Sequence, residues 1–265
     1  MLGAIIGDTV GSVYEFNNIK TTDFPLFSSR SNYTDDSIMT MAVADWLLKD
    51  PKHGMDTLET SLLHFAEKYP CPMGGYGGMF NRWLFSPDTF EGGKRRPYNS
   101  FGNGSAMRVS SVGWMFYTLK ETEHVAELSA AITHNHPEGI KGAQATAAAI
   151  FMARKGCGKE EIRSYITEKY GYNLNRTCDQ IRPVYGWEGS CQGTVPEAIV
   201  AFLDSTDFEN AIRLAVSLGG DSDTLACITG AIAEAFYKEI PEDIVNTIWS
   251  LIPDGFKEII EQFAK

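Results

Sequence analysis

The sequence predicts an all-α fold, a compact orthogonal multi-helix arrangement in which residues 1–265 make a single domain. Three observations predict it. Apolar residues recur at helical spacing through most of the chain. Short alternating runs of β-branched residues are nearly absent, which leaves a sheet little to be built from. Pro241 and Pro253 interrupt the pattern where a helix would start or stop, and no solenoid repeat or domain linker divides the chain.

The first helix carries Gly3, Gly7 and Gly11 on one stripe. Glycine inside a helix costs about 1 kcal/mol against alanine, so three at this spacing require a reason. Close helix–helix packing supplies one, and backbone approach by a ligand is compatible with it. Residues 36–48 place Ile38, Met39, Met41, Ala42, Ala44, Trp46 and Leu47 around a helix buried on most sides. Residues 56–68 follow with Leu58, Leu62, Leu63 and Phe65. Further helices are predicted at 104–119, 122–133, 138–154, 159–170, 194–203, 207–218, 223–238, 241–251 and 255–264. Ala143, Ala147 and Phe151, then Ala226, Gly230 and Ala233, form narrow ridges like that of the first helix. Two stretches break the helical pattern, 17–33 and 70–102. The second holds Gly74-Gly75-Tyr76-Gly77-Gly78 and Gly92-Gly93. Loops this long inside a domain are usually functional or mobile.

Bulk properties narrow the function. A content of 43% apolar and 22% charged residues is that of a globular chain. No apolar run reaches the roughly 18 residues of a membrane span. The N-terminal apolar stretch lacks a basic flank and is broken by Asp8 and Glu15, so it is not read as a signal peptide. Cys71, Cys157, Cys178, Cys191 and Cys227 are odd in number and show no C-x-x-C spacing, which indicates neither a zinc site nor a disulfide framework. A reducing, cytoplasmic setting is expected. The net charge of −11, with no basic run beyond Lys94-Arg95-Arg96, argues against general nucleic-acid binding. Carboxylates have another use, because hard cations take oxygen ligands.

Two acidic motifs stand out. Thr34-Asp35-Asp36 opens the helix at 36–48, and Gly219-Gly220-Asp221-Ser222-Asp223-Thr224 opens an apolar helix running to Tyr237. Acids at a helix start ordinarily cap free N–H groups and complement the dipole, and for the first motif that reading is the stronger one. In the second, paired carboxylates beside a hydroxyl exceed what a cap requires. Both motifs precede helices that must be buried, so their N-termini would meet in the interior with four carboxylates to compensate. A two-metal cluster, with ions about 3.5–4 Å apart, resolves the repulsion. Neither motif matches an EF-hand loop.

At this point the chain resembles a known family, the ADP-ribosylglycohydrolases of the dinitrogenase reductase-activating type. The resemblance spans nearly the whole chain in order: Gly3-Ala4-Ile5-Ile6-Gly7-Asp8-Thr9-Val10-Gly11-Ser12-Val13-Tyr14-Glu15-Phe16, Tyr33-Thr34-Asp35-Asp36-Ser37, Gly102-Asn103-Gly104-Ser105-Ala106-Met107-Arg108, Thr133-His134 and Gly219-Gly220-Asp221-Ser222-Asp223-Thr224. It implies a binuclear magnesium or manganese centre at helix N-termini, with Thr34, Asp35, Asp36, Asp221, Asp223 and Thr224 as ligands. Ser222 stands where many relatives carry Thr, at a position that is not a ligand. Glu15 aligns with an acid that ends the family's opening helix and acts from a movable loop. The opening phrase is closer to the serine-directed and poly(ADP-ribose)-directed relatives than to the arginine-directed ones.

The implied reaction suits these residue types. Cleavage at the ribose anomeric carbon builds oxocarbenium character on the ring. A metal pair can bind ribose hydroxyls and activate water, and a carboxylate can take the water's proton. Glu15 is assigned that role, with Asp36 and Asp223 beside it. The loop Asn99-Ser100-Phe101-Gly102-Asn103-Gly104-Ser105 precedes a helix and should offer N–H groups to a diphosphate. Phe101 is placed to stack on adenine. His134 would contact ribose or phosphate, although plain packing serves it equally well. Tyr76, Gly77 and Gly78 would line the distal ribose or a lid, and Tyr185 and Trp187 the leaving-group side. The substrate expected is an ADP-ribosylated protein, or a small ADP-ribose conjugate presenting the same handle. Two other readings remain: a non-catalytic ADP-ribose-binding or structural member of the same fold, and a magnesium-dependent hydrolase of nucleotide diphosphates. The first should have lost ligands, yet all six positions and Glu15 hold competent residues.

Overall fold

Thr34, Thr118, Thr177, Ser190 and Asp207 each accept an N–H from the first turn of the helix that follows, satisfying donors a helix start would leave bare. The computed structural model describes residues 1–86 and 95–263. Gly92-Gly93, Lys94 and the last residue of the helix expected at 255–264 lie outside them. In chain order the helices are α1 (Leu2–Gly11), α2 (Asp35–Lys49), α3 (Met55–Lys68), α4 (Gly78–Phe85), α5 (Gly104–Met107), α6 (Ser110–Met115), α7 (Leu119–Ala131) and α8 (Pro137–Arg154). They continue as α9 (Lys159–Tyr170), α10 (Cys178–Ile181), α11 (Cys191–Asp204), α12 (Phe208–Ser217), α13 (Ser222–Tyr237), α14 (Glu242–Leu251) and α15 (Asp254–Phe263). Among the described residues there is no strand; isolated bridges pair Thr34 with Met73 and Gly102 with Ser190. The all-α expectation holds.

Three local expectations require correction. The helix expected at 104–119 is two helices, α5 and α6. Arg108 and Val109 sit near φ −86° and −87° with ψ close to zero, and the Met107 carbonyl accepts the Thr40 hydroxyl at 3.2 Å. The buried Arg108 side chain, turned toward Ser129 and Thr133, accompanies the break. The stretch 70–102 is not all loop: α4 lies within it, because Phe80, Trp83 and Leu84 fall on one buried face. Glu15 does not end α1, which stops at Gly11; it stands in the turn beyond.

The small-residue stripe of α1 is a packing seam. A Cβ on Gly3 would lie 2.2 Å from the Gly230 carbonyl oxygen, one on Gly7 1.9 Å from that of Ala226, and one on Gly11 2.4 Å from that of Ser222. Numbers rise along α1 as they fall along α13, so the two helices run antiparallel in backbone contact. The C-terminal end of α1 therefore meets the N-terminal end of α13. The Ala143–Ala147 ridge serves α6 in the same way: a Cβ on Gly113 would come within 2.5 Å of Ile150 and 3.1 Å of the Ala147 carbonyl oxygen. Around these seams lies one apolar core, with Trp46, Trp83, Phe202 and Phe208 fully enclosed. All five cysteines are free. No helix among the described residues is long and apolar enough to cross a membrane.

Candidate active site

Three helix ends converge because α1 binds both of the others. Asp8, buried on α1, accepts the Thr34 N–H at 2.9 Å, the Thr34 hydroxyl at 2.7 Å, the Ser37 N–H at 3.0 Å and the Ser37 hydroxyl. One carboxylate thus bonds the head of α2 to the helix that already lies along α13. The Thr34 hydroxyl also accepts the Asp36 N–H at 3.2 Å, and one lone pair of that oxygen stays uncommitted. Asp35 and Asp36 follow on the first turn. Sequence reasoning gave Asp8 no part in this. Its signal was present, an acid inside a glycine-rich apolar helix, where an unpaired carboxylate would be costly.

At α13 the chain enters through Gly219 and Gly220, both at φ +73°, a conformation only glycine adopts at little cost. The turn places Asp221 at the cap and Asp223 and Thr224 in the first turn. Asn103 donates to Asp221 Oδ2 at 2.7 Å and to the Thr194 hydroxyl at 3.1 Å. The Thr224 hydroxyl reaches Asp36 Oδ1 at 3.3 Å, joining the two motifs directly. Glu15 completes the cluster, with one ligand atom each from Glu15, Asp221 and Asp223 within 4.8 Å of one another. Its strap is tied down by Asn18. That side chain donates to the carbonyls of Tyr14, Glu15 and Gly220 at 2.8, 2.9 and 2.8 Å, and accepts the Gly220 N–H at 2.7 Å. On the other side, a Cβ on Gly74 would come within 2.9 Å of Glu15 Oε2.

The electrostatics follow from this crowding. Burial, then the neighbouring carboxylates, holds Asp35, Asp36 and Asp223 well above the usual carboxylate range. Burial likewise raises Asp221. It pushes Asp8 up to about 6 against its four hydrogen bonds. Glu15 is raised to about 7 by burial, then by Asp221 and Asp8. Asp36 Oδ2 and Asp223 Oδ1 are buried with no hydrogen-bond partner. Unpaired carboxylate oxygens at this depth fit a hard cation, and every donor in the cluster is an oxygen.

A cleft of about 350 Å³ opens beside these acids. Its lining includes Glu15, Asp35, Asp36, Asp221, Asp223 and Thr224 at one end. Tyr76, Gly77, Gly78, Ser100, Gly102, Asn103, Gly104 and His134 line it further on, with Tyr98 and Arg108. Of the residues singled out from sequence, Thr34, Phe101 and Tyr185 are not in this lining. Thr34 is enclosed behind Asp8, while Phe101 is half exposed with its ring 5.4 Å from that of His136. Trp187 is on the rim with Phe16, but Tyr185 is not. Tyr185 supports the glycine turn instead, 2.6 Å from where a Gly220 Cβ would stand. The loop before α5 offers fewer free N–H groups than expected. Gly102 N–H is bonded to the Ser100 hydroxyl at 3.1 Å and Asn103 N–H to the Gly189 carbonyl at 2.9 Å. Asn18, Arg108, Tyr98 and Thr133 had no assigned role; polar side chains that act across the fold leave no local pattern.

Comparison with known proteins agrees with this geometry. A family model described as ADP-ribosylglycohydrolase matches residues 1–265. The chain is 29% identical to the human ADP-ribosylhydrolase ARH3, the match covering 97% of this chain and 89% of that protein. It is 28% identical to the mouse protein of the same name, over 97% and 87% of the two chains. With the ADP-ribosylarginine hydrolase Tri1 of Pseudomonas putida (strain GB-1) it shares 26% identity, over 94% and 73%. A solved structure titled "ADP-ribosylglycohydrolase-related protein complex" superposes with a TM-score of 0.76 at 20% identity, covering 99% of this chain and 94% of that one, and so shares the fold.

Proposed function

The chain belongs to the ADP-ribosylglycohydrolase family, and on that premise we propose that it is a metal-dependent hydrolase releasing ADP-ribose from a glycosidic conjugate. Residues 1–265 act as one domain. The single observation carrying this reading is the pair of buried, unpartnered carboxylate oxygens of Asp36 and Asp223, set on two facing helix starts beside Glu15. Buried carboxylate oxygens are ordinarily hydrogen-bonded, so two left bare in one acidic cluster fit a bound cation.

Thr34, Asp35, Asp36, Asp221, Asp223 and Thr224 are the ligands of two magnesium or manganese ions in this proposal. When bound, the ions supply Lewis acidity and offset the carboxylate charge. Asn103 holds Asp221 Oδ2 and so fixes the carboxylate that would serve as a ligand. Glu15, half-buried at the mouth of the cluster beside Asp221 and Asp223, is the carboxylate placed to take and return a proton. It accepts the proton of the water that attacks the anomeric carbon. The bond to the acceptor nitrogen or oxygen breaks, and the departing atom regains a proton. Ser100, Gly102, Gly104 and His134, with Tyr76, Gly77 and Gly78 opposite, hold the sugar and diphosphate. Phe101, outside the lining, would meet the adenine at the rim. The substrate class is an ADP-ribosylated protein, and the free cysteines support a reducing, cytoplasmic setting.

A panel assay tests this. The purified protein, with magnesium or manganese and with an EDTA control, meets ADP-ribosyl-arginine, ADP-ribosyl-serine and O-acetyl-ADP-ribose, and products are resolved by mass spectrometry. Metal-dependent release of intact ADP-ribose is expected from at least one substrate, naming the linkage. Release of AMP would instead mark a nucleotide-diphosphate hydrolase. Tight ADP-ribose binding without release would mark a binding protein.

A further inference from the structure

Large apolar side chains exposed singly are ordinary, but here three gather at one opening. Phe16 is 73% exposed, Trp187 64% and Met79 58%, and all three line the cleft that holds the acidic cluster. Together they leave on the order of 300 Å² of apolar side chain in solvent, the scale at which an exposed patch marks an interaction site. Their places bracket the acids. Phe16 follows Glu15 directly. Trp187 follows Gly186, whose carbonyl oxygen lies 2.7 Å from where a Cβ on Gly220 would stand, and Gly220 precedes Asp221. Met79 is in the first turn of α4, after the glycine run whose Gly74 faces Glu15 Oε2.

The two aromatic rings are set on anchored backbone. A Cβ on Gly189 would lie 3.1 Å from Trp187 Cη2, so the indole lies over Gly189, and the Gly189 carbonyl accepts the Asn103 N–H at 2.9 Å. Asn18 ties the strap that carries Phe16 through the carbonyls of Tyr14 and Glu15. Aromatic side chains on a fixed backbone lose little freedom on contact, which suits them to recognition.

The hydrolase reading limits what can sit there. The ADP-ribosyl group takes the cleft, whose volume of about 350 Å³ is at the small end for such a ligand. The acceptor lies across the scissile bond, beyond Glu15 and Asp221, and so leaves the cleft where Phe16 and Trp187 stand. An acetyl or single-residue acceptor is too short to cover rings on both flanks. A polypeptide reaches both, with side chains before and after the modified residue. A net charge of −11 turns a nucleic-acid acceptor away.

We propose that Phe16 and Trp187, with Met79 beside them, form a platform for a polypeptide acceptor and select substrates by apolar side chains flanking the modified residue. The platform rests on the hydrolase reading for the ADP-ribosyl group and adds the residues that read the other side of the bond. They determine specificity and take no part in the chemistry.

The test uses ADP-ribosyl-serine and ADP-ribosyl-arginine, each as the free amino acid and at the centre of a short peptide with leucine on either side. For the linkage it cleaves, the wild type should favour the peptide in kcat/KM by about tenfold or more, the scale of one well-buried apolar side chain. In Phe16→Ser/Trp187→Ser that preference should fall to within about threefold, and flanking serines in place of the leucines should do the same to the wild type. A folding defect, or a disturbed Glu15, lowers both substrates together and leaves the preference intact. No preference in the wild type, or one that survives the double substitution, would overturn the platform. Release from none of the four substrates would defeat the hydrolase reading alone. The platform is then read by calorimetry: the peptide should bind more tightly than the modified amino acid by the same factor, and the double variant should lose that difference.

Discussion

The heads of α2 and α13 carry nearly the same acidic vocabulary and are built in opposite ways. At α2, Thr34 at the cap and Ser37 in the first turn are both bonded to Asp8, so the supports of Asp35 and Asp36 are buried. At α13, Asp221 hangs from a left-handed glycine turn, steadied by Asn103 from the loop before α5 and by Asn18 from the Glu15 strap. Lys20 adds a bond to the Tyr185 carbonyl at 2.7 Å and one to that of Leu218. The α2 half of the acidic cluster is thus held by a buried helix residue, while the α13 half is held by loops that also line the cleft. Both helices present their positive dipole ends to the carboxylates, so the difference lies in the supports and not in the field. Stability should be sensitive at α2 and activity at α13.

The largest effect expected would ignore that asymmetry. Asp36→Asn and Asp221→Asn should each lower turnover by about a thousandfold or more, the scale of several kcal/mol attributed to metal-assisted charge stabilisation. Thermal midpoints should stay close to wild type, and full activity in either purified variant would remove the metal assignment. Next, Asp8→Ala should cost roughly 2–4 kcal/mol in chemical denaturation, since it strands buried N–H and O–H donors. Asn103→Ala, the matching change at α13, should instead lower turnover about ten- to a hundredfold with little loss of stability. Equal stability losses in the two variants would erase the distinction drawn here.

A third effect is read against pH. In EDTA, Asp8 and Glu15 hold their protons to about 6 and 7, above their unfolded values of 3.8 and 4.5. The folded state binds more protons across that window, so stability should fall as pH rises from about 4 to 7. Melting curves in saturating magnesium should show a flatter slope; an unchanged slope would mean that no cation offsets these acids. The smallest effect expected is that of Asn18→Ala, about a tenfold drop in turnover with ADP-ribose affinity unchanged. A parallel loss of affinity would show the strap to be part of the binding wall and not only a support for Glu15.

Much of the site was legible because its parts are local. Helix starts carrying Thr and paired Asp announce themselves, and glycines at four-residue spacing in an apolar segment mean close packing wherever they pack. What escaped was mostly non-local. Asp8 acts across 26 residues on Thr34, and Asn18 across 202 on Gly220, so neither leaves a signature in its own neighbourhood. α4 was hidden because its short apolar face follows a glycine run. The break at Arg108 was hidden because an arginine is a good helix former until its charge is drawn elsewhere. Phe101 shows the limit of motif reading: the motif locates the loop, but the ring lies against His136, a contact that no local pattern announces.

The seam between α1 and α13 has one more consequence. Its contacts pair Gly3 with Gly230, Gly7 with Ala226 and Gly11 with Ser222, so small residues return once per helical turn. A slip of one residue would drive a side chain into a carbonyl, and a slip that reseated the glycines would carry Glu15 about 6 Å along the helix, four residues at 1.5 Å each. The seam therefore sets where α1 ends in whole helical turns, and the fine placement of Glu15 is left to the strap that Asn18 ties.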